Sequence, residues 1–149
     1  MVITTAYKNT DFDRLCEISD TCYTGQERPP RETMKDMVEV CDVFLVKIEP
    51  DYPLYTDRDK IIGFALVRTS GNPYIWSIAV DKRFQGRGVG GNLLREIIHR
   101  YQPTELEITL HVHEDNPAQK LYFDYGFRVQ DVVKDYYRPK NGLYMVRPL

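Results

Sequence analysis

The chain has 149 residues, 42% of them hydrophobic and 28% charged, with 20 Lys and Arg against 22 Asp and Glu for a net charge of −2. That is the length of one domain, able to bury about 70% of its unfolded surface without a metal or disulfide staple, and too short for two ordinary domains. The charge balance speaks against the basic face that general nucleic-acid binding needs, and the composition against disorder.

Residues 2–6 form a short β-like run. A helix is expected from Thr10, capped by Thr10 or Asp11, with Phe12, Leu15, Ile18 and Cys22 on one face. Gly25 and Pro29-Pro30 make 23–30 a loop, after which a second helix starts near Pro30 with Met34, Met37, Val38 and Cys41 facing inward. Residues 43–48 read as a strand, 49–59 as an exposed excursion rich in proline and acids, and 60–68 as the next strand. Gly71-Asn72-Pro73 makes a turn into strand 74–80. A glycine-rich loop then leads to a helix with the apolar stripe Leu93, Leu94, Ile97, Ile98 and Tyr101, ended by Pro103.

Leu106, Ile108, Leu110 and Val112 alternate with Glu107, Thr109, His111 and His113, the pattern of a strand with one apolar face. Asn116-Pro117 opens a helix running through Tyr125, which Gly126 stops at the C′ position. Residues 127–137 and 144–147 complete the chain as strands. The order β-α-α-β-β-β-α-β-α-β-β predicts a mixed α/β domain, one domain over residues 1–149.

Other classes of protein fit poorly. The longest apolar run, Ile61-Ile62-Gly63-Phe64-Ala65-Leu66-Val67, is far shorter than the roughly twenty residues of a membrane span. Met1-Val2-Ile3-Thr4-Thr5 has no basic n-region followed by an apolar stretch, so no signal peptide is expected, and the expected protein is cytoplasmic without membrane or nucleic-acid partners. Cys16, Cys22 and Cys41 lack CxxC spacing and argue against a disulfide framework or a zinc site. His111 and His113 share a strand face without a placed third ligand, so no metal is expected.

Gly86-Arg87-Gly88-Val89-Gly90-Gly91 satisfies GxGxxG, with Glu105 and Glu107 about twenty residues on as in a dinucleotide site. In that motif, however, the strand runs almost directly into the first glycine, whereas Asp81-Lys82-Arg83-Phe84-Gln85 intervene here. The acids also open the next strand instead of closing it. The other reading, Gln85-x-x-Gly88-x-Gly90, is a pyrophosphate cradle. Glycines let successive N–H groups converge on phosphate oxygens at the positive end of the following helix, and Arg87 adds charge.

The segment from Ile78 to Gly90 resembles the signature of the GCN5-related N-acetyltransferase (GNAT) family. Asn116-Pro117-Ala118-Gln119-Lys120-Leu121-Tyr122-Phe123-Asp124-Tyr125-Gly126-Phe127 resembles its second cofactor motif, in the right order with one strand between the two. The resemblance implies the GNAT fold, a mixed sheet splayed between its fourth and fifth strands with acetyl-coenzyme A in the split. Ile78, Ala79 and Val80 would pair with the pantetheine arm through their backbone. Gln85, Gly86, Arg87, Gly88, Val89, Gly90 and Gly91 would hold the pyrophosphate. Asn116 and Tyr122 would face the cofactor, with Tyr122 the general acid for the departing thiolate.

Direct transfer to an amine needs the amine neutral, and an α-amine with a pKa near 8 demands less of a base than a lysine near 10.4. His111, with an ordinary pKa of about 6.5, suits that task. Leu110-His111-Val112 ahead of Asn116, with Tyr74-Ile75-Trp76 on the neighbouring strand, resembles the protein Nα-acetyltransferase branch, including the ribosomal-protein-alanine acetyltransferases. The resemblance implies that Tyr74 and His111 are catalytic. It also implies that Tyr136 and Tyr137, in the loop between the last strands, bind the peptide backbone. The acceptor is then expected to be a peptide N-terminus, with a small-molecule amine as the alternative and a non-catalytic acyl-CoA-binding module as the rival class. Many relatives dimerise, so a homodimer is admitted.

Overall fold

The structure, a computed structural model, describes residues 1–49 and 59–149. Most of the excursion expected at 49–59 therefore lies outside the described residues. The elements follow the expected order: β1 (Val2–Thr4), α1 (Phe12–Cys22), α2 (Arg31–Val40), β2 (Cys41–Lys47), β3 (Ile61–Arg68), β4 (Tyr74–Val80), α3 (Val89–Tyr101), β5 (Ile108–His113), α4 (Ala118–Asp124), β6 (Arg128–Tyr137) and β7 (Lys140–Arg147). The boundaries differ from expectation at a few ends. Leu106 falls outside β5 because Glu105 turns the chain with a φ of 55°, leaving Leu106 exposed. β7 starts at Lys140, right after a tight turn, so its ladder with β6 begins earlier than residue 144.

Strand alternation builds two cores. Phe44 and Val46 of β2 and Ile62, Ala65 and Val67 of β3 pack against α3 through Leu93, Leu94 and Ile97. Val43, Leu45, Ile61, Phe64 and Leu66 point the other way, onto Leu15 and Ile18 of α1 and Met34 of α2. Helices on both faces explain why β3 is buried from Ile61 to Val67 and reads as a continuous apolar run.

The seven described strands lie in the order β1-β2-β3-β4-β5-β7-β6. All pairs are antiparallel except β4 with β5, which are parallel and pair only at Tyr74↔Thr109 and Ile75↔Leu110. Beyond Ile75 the two strands part, and the sheet is split as expected. A bulge in β4 accompanies the split: Leu66 pairs Ser77 and Val67 pairs Ile75, so Trp76 is the extra residue. Alternation breaks there. Ile75 and Ile78 pack on the α3 side, while Trp76 and Ala79 pack on the α1–α2 side.

α4 closes the far wall of the split and ends in a Schellman motif. Phe127 N–H bonds Tyr122 O (3.0 Å), Gly126 N–H bonds Phe123 O (3.0 Å), and Gly126 takes φ 94°. The accompanying apolar contact is Tyr122 against Phe127, edge to face with centroids 6.0 Å apart. The helix stop thus holds the Tyr122 ring in place.

Candidate active site

A cleft of about 570 Å³ runs along the split. Its lining contains Ile78, Ala79, Val80, Gln85, Gly86, Gly88, Val89, Gly90, Gly91, Asn116 and Tyr122, which is the whole expected cofactor set except Arg87. Arg87 lies just outside, its guanidinium 5.5 Å from the ring of Phe84, which does line the cleft. The glycines serve two purposes. Gly86 and Gly88 take φ of 75° and 82°, where a side chain is strained. Gly91 instead allows close approach, since a Cβ there would meet the Tyr125 hydroxyl at 2.7 Å. Among the described residues the N–H groups of 86–91 meet no acceptor, while Asn92 N–H already bonds Gly88 O at 3.0 Å. A loop of unpaired donors at a helix N-terminus is fitted to a pyrophosphate.

The open edge of β4 offers alternate residues. Ile78 O accepts the Tyr23 hydroxyl (2.6 Å), and Val80 O accepts Gln85 Nε2 and the Cys22 thiol (3.0 Å each). Ala79 O points the opposite way, 3.2 Å from the Cβ position of Gly63 on β3. The backbone groups facing the cleft therefore belong to Ile78 and Val80, with Ala79 contributing a wall. Asn116 Oδ1 accepts from Ala118 N–H (2.9 Å), which leaves its Nδ2 for a ligand.

An ion-pair cluster anchors this loop. Asp81 accepts from Arg14 Nη2 (2.7 Å), Arg83 Nη2 (2.9 Å) and Arg83 N–H (2.9 Å), while Arg14 Nε donates to Ile61 O (3.0 Å). Hydrogen bonding from Arg83, joined by Arg14, holds the Asp81 carboxyl well below the usual carboxylate range.

Tyr122 stands where the cleft meets a narrow pocket of about 70 Å³, whose walls include Tyr23, Glu27, Ser77, His111, His113 and Tyr137. Burial pushes the Tyr122 phenol above its ordinary value, and its hydroxyl has no hydrogen-bond partner among the described residues. His111 is part of that pocket's wall, and its Nδ1 lies 2.7 Å from Tyr74 Oη. Burial raises the Tyr74 pKa and lowers that of His111. A protonated phenol beside a neutral imidazole assigns Tyr74 as donor and Nδ1 as acceptor, with the ring proton on Nε2.

Tyr136 and Tyr137 close β6 instead of lying in a loop. The ladder breaks between Val133 and Tyr137, where Asp135 takes φ 56° and gives its N–H to Asn141 Oδ1. This bulge turns both consecutive rings to the acceptor side. Tyr136 stacks on His111 (4.4 Å, 7°), and Tyr137 lies 5.4 Å from His113. Gly142 admits the arrangement, because a Cβ there would lie 2.8 Å from Tyr136 Cβ.

Sequence reasoning did not single out Tyr23, Trp76 or Ser77 as site residues. Tyr23 borders both cavities, and burial pushes its phenol up to about 12. Its only sequence signal was its place just after the first helix, at the head of the pocket loop.

A model of the acetyltransferase (GNAT) domain matches residues 20–146. Over 91 residues the chain is 35% identical to a [ribosomal protein bS18]-alanine N-acetyltransferase of Haemophilus ducreyi, covering 59% of this chain and 63% of that protein. Over 74 residues it is 35% identical to the L-amino acid N-acetyltransferase AaaT of Escherichia coli, covering 47% of this chain and 44% of that one. The chain thus matches less than two thirds of the length of these curated relatives. Its fold is similar to that of the ribosomal-protein-S18-alanine N-acetyltransferase from Escherichia coli, with a TM-score of 0.80 at 20% identity over 99% of this chain and 92% of the other. On the domain match, the split sheet and the two motifs that line it, the chain belongs to the GNAT acetyltransferase family.

Proposed function

We propose that the protein transfers an acetyl group from acetyl-coenzyme A to a primary amine, the N-terminal amine of a peptide. The observation that carries this is Tyr122: a phenol kept protonated by burial, with a free hydroxyl at the junction of the long cleft and the narrow pocket. A binding module needs no such donor at that point.

When bound in the cleft, acetyl-coenzyme A supplies an acyl carbon activated by a thiolate leaving group. The chain supports it with the N–H groups of 86–91 for the pyrophosphate, Arg87 for added charge, Ile78 and Val80 along the arm, and Asn116 Nδ2. Tyr122 donates its proton to the departing sulfur. Tyr74 and His111 act on the amine as a relay: the phenol oxygen takes the amine proton while the phenol proton passes to His111 Nδ1. No acyl-enzyme is required. Tyr136 and Tyr137 hold the backbone of the acceptor.

A second reading, a small amine, draws on the narrowness of the pocket and on the amino-acid acetyltransferase among the relatives. Mass spectrometry of acetyl-coenzyme A reactions separates them. A peptide with a free α-amine should be acetylated, while its Nα-blocked, lysine-containing counterpart and the free amino acid should not. Acetylation of the amino acid alone would favour the small amine. Tyr122→Phe should lower kcat about 100-fold; unchanged turnover would remove Tyr122 as the acid.

A further inference from the structure

On the acceptor side, Arg68 is a charge that the transfer itself does not use. Past the Tyr74–His111 pair the sheet opens into a hollow of about 460 Å³, walled by Arg68, Ser70, Asn72, Thr109 and Tyr144 around that pair. Arg68 closes β3 and is exposed. Its guanidinium lies 5.0 Å from the centroid of the Tyr74 ring, and among the described residues it has no ion-pair partner. Among the described residues no carboxylate lines the hollow. Glu27 lines the narrow pocket instead, and His111 borders both cavities.

We infer that this hollow is an acidic subsite: it receives an Asp or Glu side chain at the second or third position of the acceptor peptide, and Arg68 determines that specificity. The inference rests on the peptide reading above. A guanidinium packed on an aromatic face keeps its N–H edge free for a carboxylate. One tyrosine separates Arg68 from the His111 ring, since Tyr74 touches both. At about 3.3–3.6 Å per extended residue, that reach corresponds to roughly two residues beyond the reacting amine.

The test compares three peptides that differ only at positions two and three, carrying Asp, Ala or Lys there, by kcat/KM with acetyl-coenzyme A. The acidic peptide should exceed the neutral one about two- to fivefold, as expected of an exposed charged pair. Lys should fall below Ala. In Arg68→Ala the acidic-to-neutral ratio should collapse to about one; in Arg68→Glu the order should reverse. Because Arg68 is exposed, these variants are expected to fold. Were Arg68 merely a buttress for Tyr74, its loss would lower all three peptides by one factor and leave the ratio intact, which overturns the inference. Equal rates on the three peptides would overturn it too, with the peptide reading standing. If free amino acids are acetylated and no peptide is, the peptide reading falls and takes the inference with it.

Discussion

Burial acts on the three groups proposed to move protons in one direction, keeping each of them neutral. It lowers the His111 pKa and raises those of Tyr74 and Tyr122, so at neutral pH the three are a base and two protonated phenols. For His111 the sign is definite. Its ring stays neutral above a pKa set below the ordinary value of about 6.5, so the acid limb of kcat/KM should fall below pH 6.5. In His111→Ala that limb should vanish, and the residual rate should climb with pH until the α-amine itself deprotonates near pH 8. The defect should then be about 10–100-fold at pH 7 and shrink by pH 9; an equal loss at both would contradict the relay. The residue types of this site could be read from the sequence because their motifs lie on contiguous stretches, as with Asn116 just ahead of α4 and Tyr122 within it. Tyr23 could not. It reaches the cleft only because α1 packs across β4, and nothing local to residue 23 announces that.

Two elements owe their working shape to interrupted strands. The β4 bulge at Trp76 and the β6 irregularity between Val133 and Tyr137 turn side chains that simple alternation would send elsewhere. Consecutive tyrosines in a regular strand point to opposite faces, yet Tyr136 and Tyr137 both reach the imidazoles of β5. The cofactor loop depends on another kind of anchor. Asp81 ties the end of β4 and the start of the glycine loop to Arg14 of α1. Both Arg14 and Asp81 are buried, at 7% exposure each, so Asp81→Asn leaves the buried guanidinium only the half-exposed Glu17, 3.5 Å from its Nη1, as counter-charge. Loss of one partner of a buried pair costs about 3–5 kcal/mol. A urea midpoint should register that loss, whereas Arg83→Ala, at an exposed side chain, should shift it far less. Because the folded Asp81 pKa is depressed, its stabilisation is complete above the unfolded carboxylate pKa of about 4 and declines as pH falls below it. Stability of wild type and Asp81→Asn should therefore converge in acid.

At the scale of the whole molecule, the split between β4 and β5 is the site. Two paired positions hold the strands together at Tyr74 and Ile75, and the expected cofactor residues other than Arg87 line the cleft that opens beyond them. Acetyl-coenzyme A bound there at one hundred times its Kd should add about 2.7 kcal/mol to folding stability. A melting scan should show that as an upward shift on the order of 5–10 °C for a domain of this size. NADH, whose fingerprint the glycine loop partly mimics, should shift nothing; a shift with NADH alone would mean the loop is a dinucleotide site after all. By itself the sequence determined the order and type of the elements, the glycine cradle and the helix stop at Gly126. Each of these rests on interactions within a few residues: apolar periodicity, capping, and the left-handed φ that only glycine adopts freely. Tertiary structure alone decided how far the sheet splits, where the two bulges fall, and that Tyr23, Arg68 and Trp76 border the site. Those outcomes depend on register between strands distant in the chain, and a shift of one residue in register reverses every face that follows.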